Sequence, residues 1–351
     1  MSAALDRQMM RRALALARRG GEAVFPNPMV GCVLAKNGRV IAEGWHETFG
    51  GPHAEAIALK KAGPRAQGAT AYVTLEPCMA HPGKKNPSCA EALAAAKVSR
   101  VVAAVLDPNP AVSGRGLALL RRAKIAANLG PHAAQARALS PHFFSRMKRR
   151  RPYVVLKMAL SLDGRAYAPG GASRWITAAP ARRLVHALRA QNQAVMVGIG
   201  TALADNPALT CHGAGKNPVR VVLDSRLRLP RDSRLTDGSA PTFIFTAAKS
   251  KRTIPGADII RVPAAKGGLN LRAVLKELCR RGISTLLVEG GPTLHAAFLA
   301  QGLADEARVF IAPKLISGSK NPNTAPKILS PRPQKIGPDF LFAGKLSCSR
   351  A

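Results

Sequence analysis

The pattern of apolar and polar residues changes its period several times along the chain, and each period predicts an element. Residues 2–19 repeat apolar positions at helical spacing among arginines, which predicts an amphipathic first helix. Residues 29–46 hold two β-branched runs on either side of Lys36-Asn37-Gly38, and an Asn-Gly pair between such runs is typical of a tight hairpin. We therefore expect a helix followed by two adjacent strands.

Helix and strand patterns alternate through the rest of the first half. HAEAIALKKAG predicts a helix that ends at Gly63, GATAYVTLEPC predicts a strand running into a loop, and CAEALAAAKV predicts another helix. RVVAAVLDPNP then predicts a strand that ends at a proline-rich turn, and LALLRRAKIAANLG predicts a further helix. This alternation favours a layered α/β architecture.

A basic run followed by a proline marks a candidate boundary between two domains. Residues 141–151 end in KRRR, and a new apolar strand, YVVLKMAL, follows Pro152. Beyond it, RLVHALRAQNQAVMVGIGT, VRVVLDS, APTFIFTA and ISTLLVEGGPTLHAAFLA again alternate between helix and strand patterns. A chain of 351 residues suits two domains, which we place at 1–147 and 148–351.

The composition limits which residues can form the hydrophobic cores and indicates the cellular compartment. Hydrophobic residues make up 47% of the chain but aromatic residues only 4%, so the cores must be built from Ala, Val and Leu. No run of about 18 apolar residues occurs, so no membrane-spanning helix is expected. The basic start partly resembles a transit peptide. Because PNPMVG already begins at Pro26, a first helix of the fold is the better interpretation, and we expect a cytoplasmic protein.

The charge is strongly positive, with 53 Lys and Arg against 19 Asp and Glu, a formal net of +34. Such a charge is compatible with a polyanionic partner. However, the basic residues are spread along the chain, and no aromatic residues interleave with them as in proteins that stack single-stranded bases. We therefore do not favour nucleic acid as the partner. Compositional bias of the source lineage and basic sites for small phosphorylated substrates are the alternatives.

A histidine and two of the six cysteines suggest a metal site. Cys78 and Cys89 lie in a loop rich in Pro, Gly and Lys, and the cysteines are too scattered for a small disulfide framework. With His53 they offer one imidazole and two thiolates, a donor set of catalytic zinc that leaves a fourth position for water. Glu55 follows His53 closely enough to shuttle protons in the same cleft. Taken one at a time, His53 and Glu55 would be interpreted as residues at the start of a helix, and the two cysteines as buried thiols.

The combination of His-x-Glu with a later Pro-Cys is the pattern of zinc nucleobase deaminases, although Cys89 comes later here than in their Cys-x-x-Cys. PNPMVGCVL, GGPHAEAIAL, TLEPC and DPNPAVSGRG resemble the deaminase half of the bacterial bifunctional riboflavin-biosynthesis deaminase/reductases. LKMALSLDGR, ASRWIT, DNPALT and LLVEGGPTLHAAFL resemble the reductase half. The resemblance runs from about residue 7 to residue 312 and preserves the order of the two halves.

This resemblance implies an α/β fold of two domains. The first is a cytidine-deaminase-like three-layer α/β/α domain, and the second is a dihydrofolate-reductase-like α/β domain. It implies zinc-dependent deamination of 2,5-diamino-6-ribosylamino-4(3H)-pyrimidinone 5′-phosphate by residues 1–147. Reduction of the ribosyl side chain by NADPH in residues 148–351 then gives 5-amino-6-ribitylamino-uracil 5′-phosphate. A phosphorylated pyrimidine substrate, Zn²⁺, NADPH and a homo-oligomer are thus expected, with no membrane partner.

The resemblance also assigns roles to individual positions. It retains His53, Cys78 and Cys89 as zinc ligands and Glu55 as the catalytic residue. The cofactor positions are Ala159, Trp175, Thr201, Asp205, Ser225, Gly291, Pro292, Thr293, Leu294, His295, Ala296 and Ala297. The substrate positions are Asn27, His46, His81, Lys84, Lys157, Ser173, Arg189, Leu209, His212 and Glu289.

Two departures from the family pattern concern substrate handling. The loop from Cys78 to Cys89 is longer than the usual loop and lacks its Ser. His212 stands where the family usually has an Arg, whose planar fork would bind a phosphate more strongly. Because an imidazole is charged only at lower pH, we expect a poorer KM that worsens above about pH 6.5.

Two rival interpretations stay open at this point. An RNA-editing deaminase would explain the positive charge, but it would not need the LVEGGPTL or DNPALT segments. A salt-dependent gel shift with RNA would detect such RNA binding. A partly degenerate protein with one active half would fit the altered loop and His212. A zinc-free preparation that still binds NADPH would favour that second interpretation.

Overall fold

The computed structural model describes residues 3–80, 88–166, 176–312 and 328–346. The chain divides into two compact units, Met1–Arg150 and Arg151–Ala351. None of the helices in these described stretches is long and apolar enough to cross a membrane.

Unit 1 is built on one mixed sheet flanked by helices. Its helices are α1 (Ala3–Ala17), α2 (Ala54–Ala62), α3 (Cys89–Ala95), α4 (Arg115–Arg122), α5 (Ala133–Leu139) and α6 (Pro141–Arg149). Its strands are β1 (Gly31–Lys36), β2 (Arg39–Trp45), β3 (Thr70–Val73), β4 (Arg100–Ala103) and β5 (Ala126–Leu129). The sheet order is β2-β1-β3-β4-β5, with β1 antiparallel to both neighbours and β3, β4 and β5 parallel.

Alternation along the strands produces a core on each face of this sheet. Cys32 and Leu34 of β1 pack in a cluster with residues of α2, α3 and α4. Val33 and Ala35 point the other way and pack with residues of α1, α5 and α6. Because successive side chains of a strand point to opposite faces, one buried strand serves both cores. The predicted three-layer α/β/α arrangement is therefore confirmed.

The hairpin at the start of unit 1 is also confirmed. Asn37 and Gly38 have φ of 52° and 76°, the left-handed conformation that a tight hairpin turn requires at both central residues. The predicted helix of HAEAIALKKAG is likewise present as α2, with Gly63 as its C-cap at φ 54°.

One prediction for unit 1 is wrong. The helix predicted over LALLRRAKIAANLG ends at Arg122, because Lys124 adopts a left-handed φ of 60° and Ala126–Leu129 pairs with β4. The division between the units falls at Arg150, inside the predicted boundary stretch 141–151, where Pro141–Arg149 forms α6 and Phe143 is buried in the core with residues of α1.

Unit 2 is built on a larger sheet. Its helices are α7 (Ala179–Ala190), α8 (Ile199–Asp205), α9 (Leu271–Arg280) and α10 (Pro292–Ala300). Its strands are β6 (Tyr153–Ser161), β7 (Ala194–Gly198), β8 (Val219–Leu223), β9 (Thr242–Thr246), β10 (Asp258–Arg261), β11 (Ala264–Ala265), β12 (Gly268–Leu269), β13 (Thr285–Val288), β14 (Glu306–Ala312), β15 (Ile328–Ile336) and β16 (Asp339–Leu346).

The nine-stranded sheet of unit 2 has the order β10-β9-β8-β7-β13-β6-β14-β16-β15. Its strands are parallel from β10 to β14, and β16 and β15 then continue antiparallel. Val154 and Leu156 of β6 pack with α9 and α10, whereas Tyr153 and Val155 pack with α7. A parallel sheet covered on both faces gathers the ends of its strands at one edge, where ligands bind in open α/β folds.

Candidate active sites

Three predicted metal ligands meet in unit 1. His53 is the N-cap of α2, Cys89 is the first residue of α3, and Cys78 lies in the loop after β3. His53 Nδ1 lies 3.3 Å from Cys78 Sγ and 3.3 Å from Cys89 Sγ. The three donor atoms all lie within 4.8 Å of one another. A tetrahedral zinc ion places nitrogen and sulfur ligands roughly 3.5 Å apart, so this donor set fits zinc.

The start of α3 fixes the position of Cys78. The Ala90 backbone N–H and the Ser88 hydroxyl both donate to the Cys78 carbonyl, at 3.2 and 3.3 Å. Ser88 also caps α3 by accepting a hydrogen bond from the Glu91 N–H. Both cysteines are therefore attached to the same helix start, although many residues separate them in the sequence.

Glu55, the second residue of α2, lies beside these donors and is 3% exposed. Burial raises its pKa to about 7, and the nearby Cys78 thiol adds to this effect. A carboxyl group with a pKa near the working pH can both accept and donate a proton. The geometry therefore places a group that is able to exchange protons next to the candidate zinc ligands.

Asn27 and His46 lie on the histidine side of this site. His46 Nδ1 is 3.0 Å from the Pro52 carbonyl, and donation to that acceptor leaves Nε2 to accept from Asn27 Nδ2 at 3.2 Å. Burial lowers the pKa of His46, which favours the neutral ring that this arrangement needs. Its ring centroid is 5.5 Å from that of His53, so Asn27 is held close to the metal ligands.

Two further residues of this region carry no role in the sequence-based predictions. The ring of His142 packs against Phe25 at 4.3 Å, and its Nε2 is 3.4 Å from the Asn27 carbonyl. Glu76 is 2% exposed and accepts hydrogen bonds from three backbone N–H groups, those of Asp107, Gly114 and Leu117. The only sequence feature that could have indicated a role for Glu76 is its charge within an otherwise apolar run. No feature of the sequence indicated a role for His142.

Most of the predicted reductase residues surround one cavity of about 1500 Å³ in unit 2. From the predicted set it is lined by Lys157, Ala159, Arg189, Thr201, Asp205, Leu209, His212, Ser225, Glu289, Gly291, Pro292, Thr293, Leu294, His295, Ala296 and Ala297. Four further predicted positions, His81, Lys84, Ser173 and Trp175, lie outside the described residues.

The start of α10 offers room for a cofactor. Gly291 is its N-cap, and a Cβ added there would have only Thr201 Oγ1, at 3.8 Å, within 4 Å. A glycine therefore leaves the helix start open to the cavity, and free N–H groups at a helix start bind phosphates. Gly290 has a different reason to be glycine, since a Cβ would lie 2.5 Å from Leu294 Cδ2. This opening and the size of the cavity fit a dinucleotide.

A buried ion pair spans the cavity wall. Arg189 Nε and Nη2 donate to the two carboxylate oxygens of Glu289, at 2.6 and 2.9 Å. Burial opposes ionisation of Glu289, but Arg189 outweighs burial and lowers its pKa. Burial also lowers the pKa of Lys157, while Glu289 opposes that change. Arg189 is thus engaged with Glu289 and positions its carboxylate.

The loop that follows α8 is held in an unusual conformation. Asn206, Leu209 and His212 have positive φ of 38°, 51° and 49°. Left-handed backbone is uncommon outside glycine, particularly for a bulky residue, and it concentrates at functional sites. Arg189 Nη1 anchors the loop through the Thr210 carbonyl at 2.9 Å.

His186 is a further residue that the sequence-based predictions missed. It lies on α7, lines the same cavity, and its ring stacks on that of His212 with centroids 4.3 Å apart and planes at 30°. The two histidines are remote in sequence and only the loop conformation brings them together, so no local pattern indicated the pair.

Comparison with known proteins finds a separate family match in each unit. Residues 3–105 match the family model described as the cytidine and deoxycytidylate deaminase zinc-binding region, and residues 152–333 match the RibD C-terminal domain. The riboflavin biosynthesis protein RibD of Escherichia coli is 41% identical over 96% of this chain and 98% of its own.

Solved structures of similar proteins match both units together. Acinetobacter baumannii RibD, form 1, is 36% identical and superposes with a TM-score of 0.85 over 99% of this chain and 100% of its own. A Thermotoga maritima diaminohydroxyphosphoribosylaminopyrimidine deaminase/5-amino-6-(5-phosphoribosylamino)uracil reductase is 34% identical, with a TM-score of 0.82 over 98% of this chain and 99% of its own.

Proposed function

The chain belongs to the RibD family of bifunctional riboflavin-biosynthesis deaminase/reductases, and on that premise we propose which of its residues perform each reaction. It is an enzyme that acts on small pyrimidine substrates, with Zn²⁺ and NADPH as its cofactors. The predicted family, fold class, activity and cofactors are thereby confirmed. In our proposal residues 1–147 carry out the deamination and residues 148–351 the reduction.

In the deamination, His53, Cys78 and Cys89 hold the zinc ion, which makes water more acidic. Glu55 accepts a proton as water adds to the amine-bearing ring carbon of the diamino-pyrimidinone ribotide. It delivers this proton to the ring nitrogen, then takes the second proton from the added hydroxyl and gives it to the departing amine. A C–O bond forms, the C–N bond breaks, and ammonia leaves. Asn27, held by His46, contacts the pyrimidine, and His81 and Lys84 contact the ribotide.

In the reduction, NADPH supplies the reducing equivalents that convert the ribosyl side chain to ribityl. Its binding positions are Ala159, Trp175, Thr201, Asp205, Ser225 and residues 291–297. Lys157 provides a proton for the opened sugar, and Glu289, fixed by Arg189, orients the substrate. Ser173, Leu209 and His212 complete the substrate site. The protein thus contributes orientation and charge rather than the redox chemistry.

A cytoplasmic, homo-oligomeric enzyme belongs to the same proposal. Cys32 and Cys211 are free thiols, and free thiols persist in reducing compartments. The family resemblance favours assembly through unit 2. Light scattering on the purified chain measures the mass directly, and a monomer at micromolar concentration would overturn this part.

The observation that carries the proposal is the meeting of His53, Cys78 and Cys89 around the buried Glu55. Its test treats the two reactions separately. The diamino ribotide without NADPH should release ammonia, and the deaminated ribotide with NADPH should consume NADPH. Removing zinc with a chelator should stop the first reaction and leave the second intact. Ammonia release by the zinc-free protein, or no NADPH consumption in the second assay, would contradict the assignment.

A further inference from the structure

The start of α6 holds the short segment that carries Asn27. Ser140, the N-cap of α6, accepts a hydrogen bond from the Met29 backbone N–H at 2.8 Å. His142 Nε2 lies 3.4 Å from the Asn27 carbonyl oxygen. Ser140 and His142 are each 2% exposed. Resting on the deaminase function proposed above, we propose that Ser140 and His142 are positioning residues of the deamination, which act by holding Asn27 in place against the pyrimidine ring.

The sequence of this segment makes its backbone dependent on side chains for support. Asn27 stands between Pro26 and Pro28, and proline has no N–H to donate. The Asn27 N–H is used locally, since it donates to the Val24 carbonyl at 2.8 Å. Backbone groups that are shielded from water need partners, and the Asn27 carbonyl and the Met29 N–H find theirs in side chains at the start of α6. Replacing those side chains therefore releases the segment on the carboxyl side of Asn27.

The start of α6 is a firm support for this segment. Phe143 packs in the core with residues of α1, and its N–H donates to the Ser140 carbonyl at 3.0 Å. The Ser140 hydroxyl does not cap its own helix and is used for Met29 instead. The His142 ring packs edge-on against Phe25, with ring centroids 4.3 Å apart. Burial lowers the pKa of His142 to about 4, so the ring is neutral at pH 7 and donates a single N–H. The two side chains thus contact the segment on both sides of its asparagine.

The side chain of Asn27 is held as well as its backbone. Its Nδ2 donates to His46 Nε2 at 3.2 Å, and the ring of His46 lies 5.5 Å from that of the candidate zinc ligand His53. An amide has two N–H groups and a carbonyl oxygen, so the other N–H and the oxygen can pair with the edge of a pyrimidine. A shift of the backbone moves these atoms relative to the zinc ligands, and misplacement by about 1 Å can lower a rate about 100-fold. The contacts made by Ser140 and His142 therefore bear on how the substrate is bound.

The kinetics of ammonia release test the proposal through two substitutions. Ser140→Ala removes the acceptor of the Met29 N–H, and His142→Phe keeps the ring contact but removes the donor to the Asn27 carbonyl. Each should raise KM for the diamino ribotide about tenfold and leave kcat within about twofold, because a lost contact of this kind weakens substrate binding. His142→Gln, whose amide nitrogen can reach the position of Nε2, should restore most of the loss. Zinc content should be native in all three variants. Unchanged KM in both Ser140→Ala and His142→Phe would overturn the proposal.

A double-mutant cycle shows whether Ser140 acts through Asn27. The Kd of the diamino ribotide is measured by calorimetry in the Glu55→Gln protein, so that turnover does not disturb the titration. Ser140→Ala should weaken binding about tenfold when Asn27 is present and less than about twofold in Asn27→Ala, since the effects of coupled residues are not additive. Ser99→Ala is the matched control, because it removes a hydroxyl bond of 2.8 Å to the Gly68 carbonyl elsewhere in unit 1, and it should leave Kd unchanged. Equal weakening by Ser140→Ala with and without Asn27 would show a general loss of stability and would also overturn the proposal.

The same proteins separate this proposal from the deaminase assignment. If the native protein releases ammonia while the effects of Ser140→Ala and Asn27→Ala on Kd are additive, the positioning role is wrong and the deaminase function stands. If the two effects are coupled but the native zinc-loaded protein releases no ammonia from the ribotide, the positioning of Asn27 stands and the deaminase assignment fails.

Discussion

Glu55 and Glu289 are both buried carboxyl groups, yet their surroundings change their pKa values in opposite directions. Burial, with help from Cys78, raises the pKa of Glu55 to about 7. The guanidinium of Arg189 outweighs burial and lowers the pKa of Glu289. A group of the first kind exchanges protons at neutral pH, whereas one of the second kind stays charged and orients its neighbours. The environment of each residue therefore matches its proposed role.

Replacing Glu55 tests the first of these roles. Glu55→Gln keeps the size of the side chain but cannot carry a proton, so ammonia release should fall by about 10²- to 10⁴-fold. NADPH oxidation with the deaminated ribotide and zinc content should not change. The control is Glu47→Gln, which alters an exposed carboxylate of the same unit. Deamination within tenfold of the native rate in Glu55→Gln would rule out Glu55 as the proton carrier.

Replacing Glu289 tests the ion pair through the pH dependence of stability. Because the folded-state pKa of Glu289 is lowered, the pair stabilises unit 2 above the unfolded-state pKa of about 4.3. That contribution disappears as pH falls through the lower folded-state value. Glu289→Gln leaves Arg189 without its counter-charge and should cost about 3–5 kcal/mol at pH 7.

Denaturant unfolding of the native and Glu289→Gln proteins from pH 7 down to pH 3 measures this difference. The gap between the two stabilities should narrow in acid. A gap that stays constant with pH would show that ionisation of Glu289 does not contribute to stability.

The sequence predicted that His53, Cys78 and Cys89 come together beside Glu55, because their residue types and spacing form a motif. It did not predict His186 or the capping role of Glu76. His186 meets His212 only through the loop after α8, and Glu76 binds N–H groups near the start of α4. These contacts join segments that are distant in the chain, so no periodic pattern in the sequence predicts them.

Among the elements, those with local signals were predicted well. The hairpin of β1 and β2 follows from Asn37-Gly38, and α2 ends at Gly63 as expected. The prediction that failed concerns β5, where the pairing partner decides the structure. The helical pattern continues past Arg122, but β5 forms there because β4 offers a parallel edge.

The contact between α4 and the zinc loop gives a prediction at this scale. A Cβ on Gly116 would lie 2.0 Å from the Pro77 carbonyl oxygen, so Gly116→Ala must displace the residue next to Cys78. We expect the Gly116→Ala protein to lose zinc at a chelator concentration about tenfold lower than the native protein does, since displaced ligands bind metal less tightly.

Chelator competition followed by metal analysis measures this effect. Ala118→Gly is the control, because it weakens the same helix by about 1 kcal/mol but adds no atom. NADPH oxidation with the deaminated ribotide should be unchanged in both variants. Native zinc retention in Gly116→Ala would show that α4 does not hold the loop in place.

At the scale of the whole molecule, the net charge of +34 exceeds what a phosphorylated substrate requires. Asp6 pairs with Arg100 and Asp305 with Arg151, and such one-to-one pairs leave the net charge unchanged. The family membership of both halves argues against an RNA-editing enzyme. Nothing in the structure explains the surplus of positive charge.

The central claim is that both sites work in one chain, and NADPH oxidation with the diamino-pyrimidinone ribotide as the only substrate tests it most directly. Because reduction follows deamination, NADPH should be consumed by the zinc-loaded protein and not by the zinc-free protein. The deaminated ribotide should restore consumption without zinc. No NADPH consumption by protein that has bound both zinc and NADPH would contradict the account.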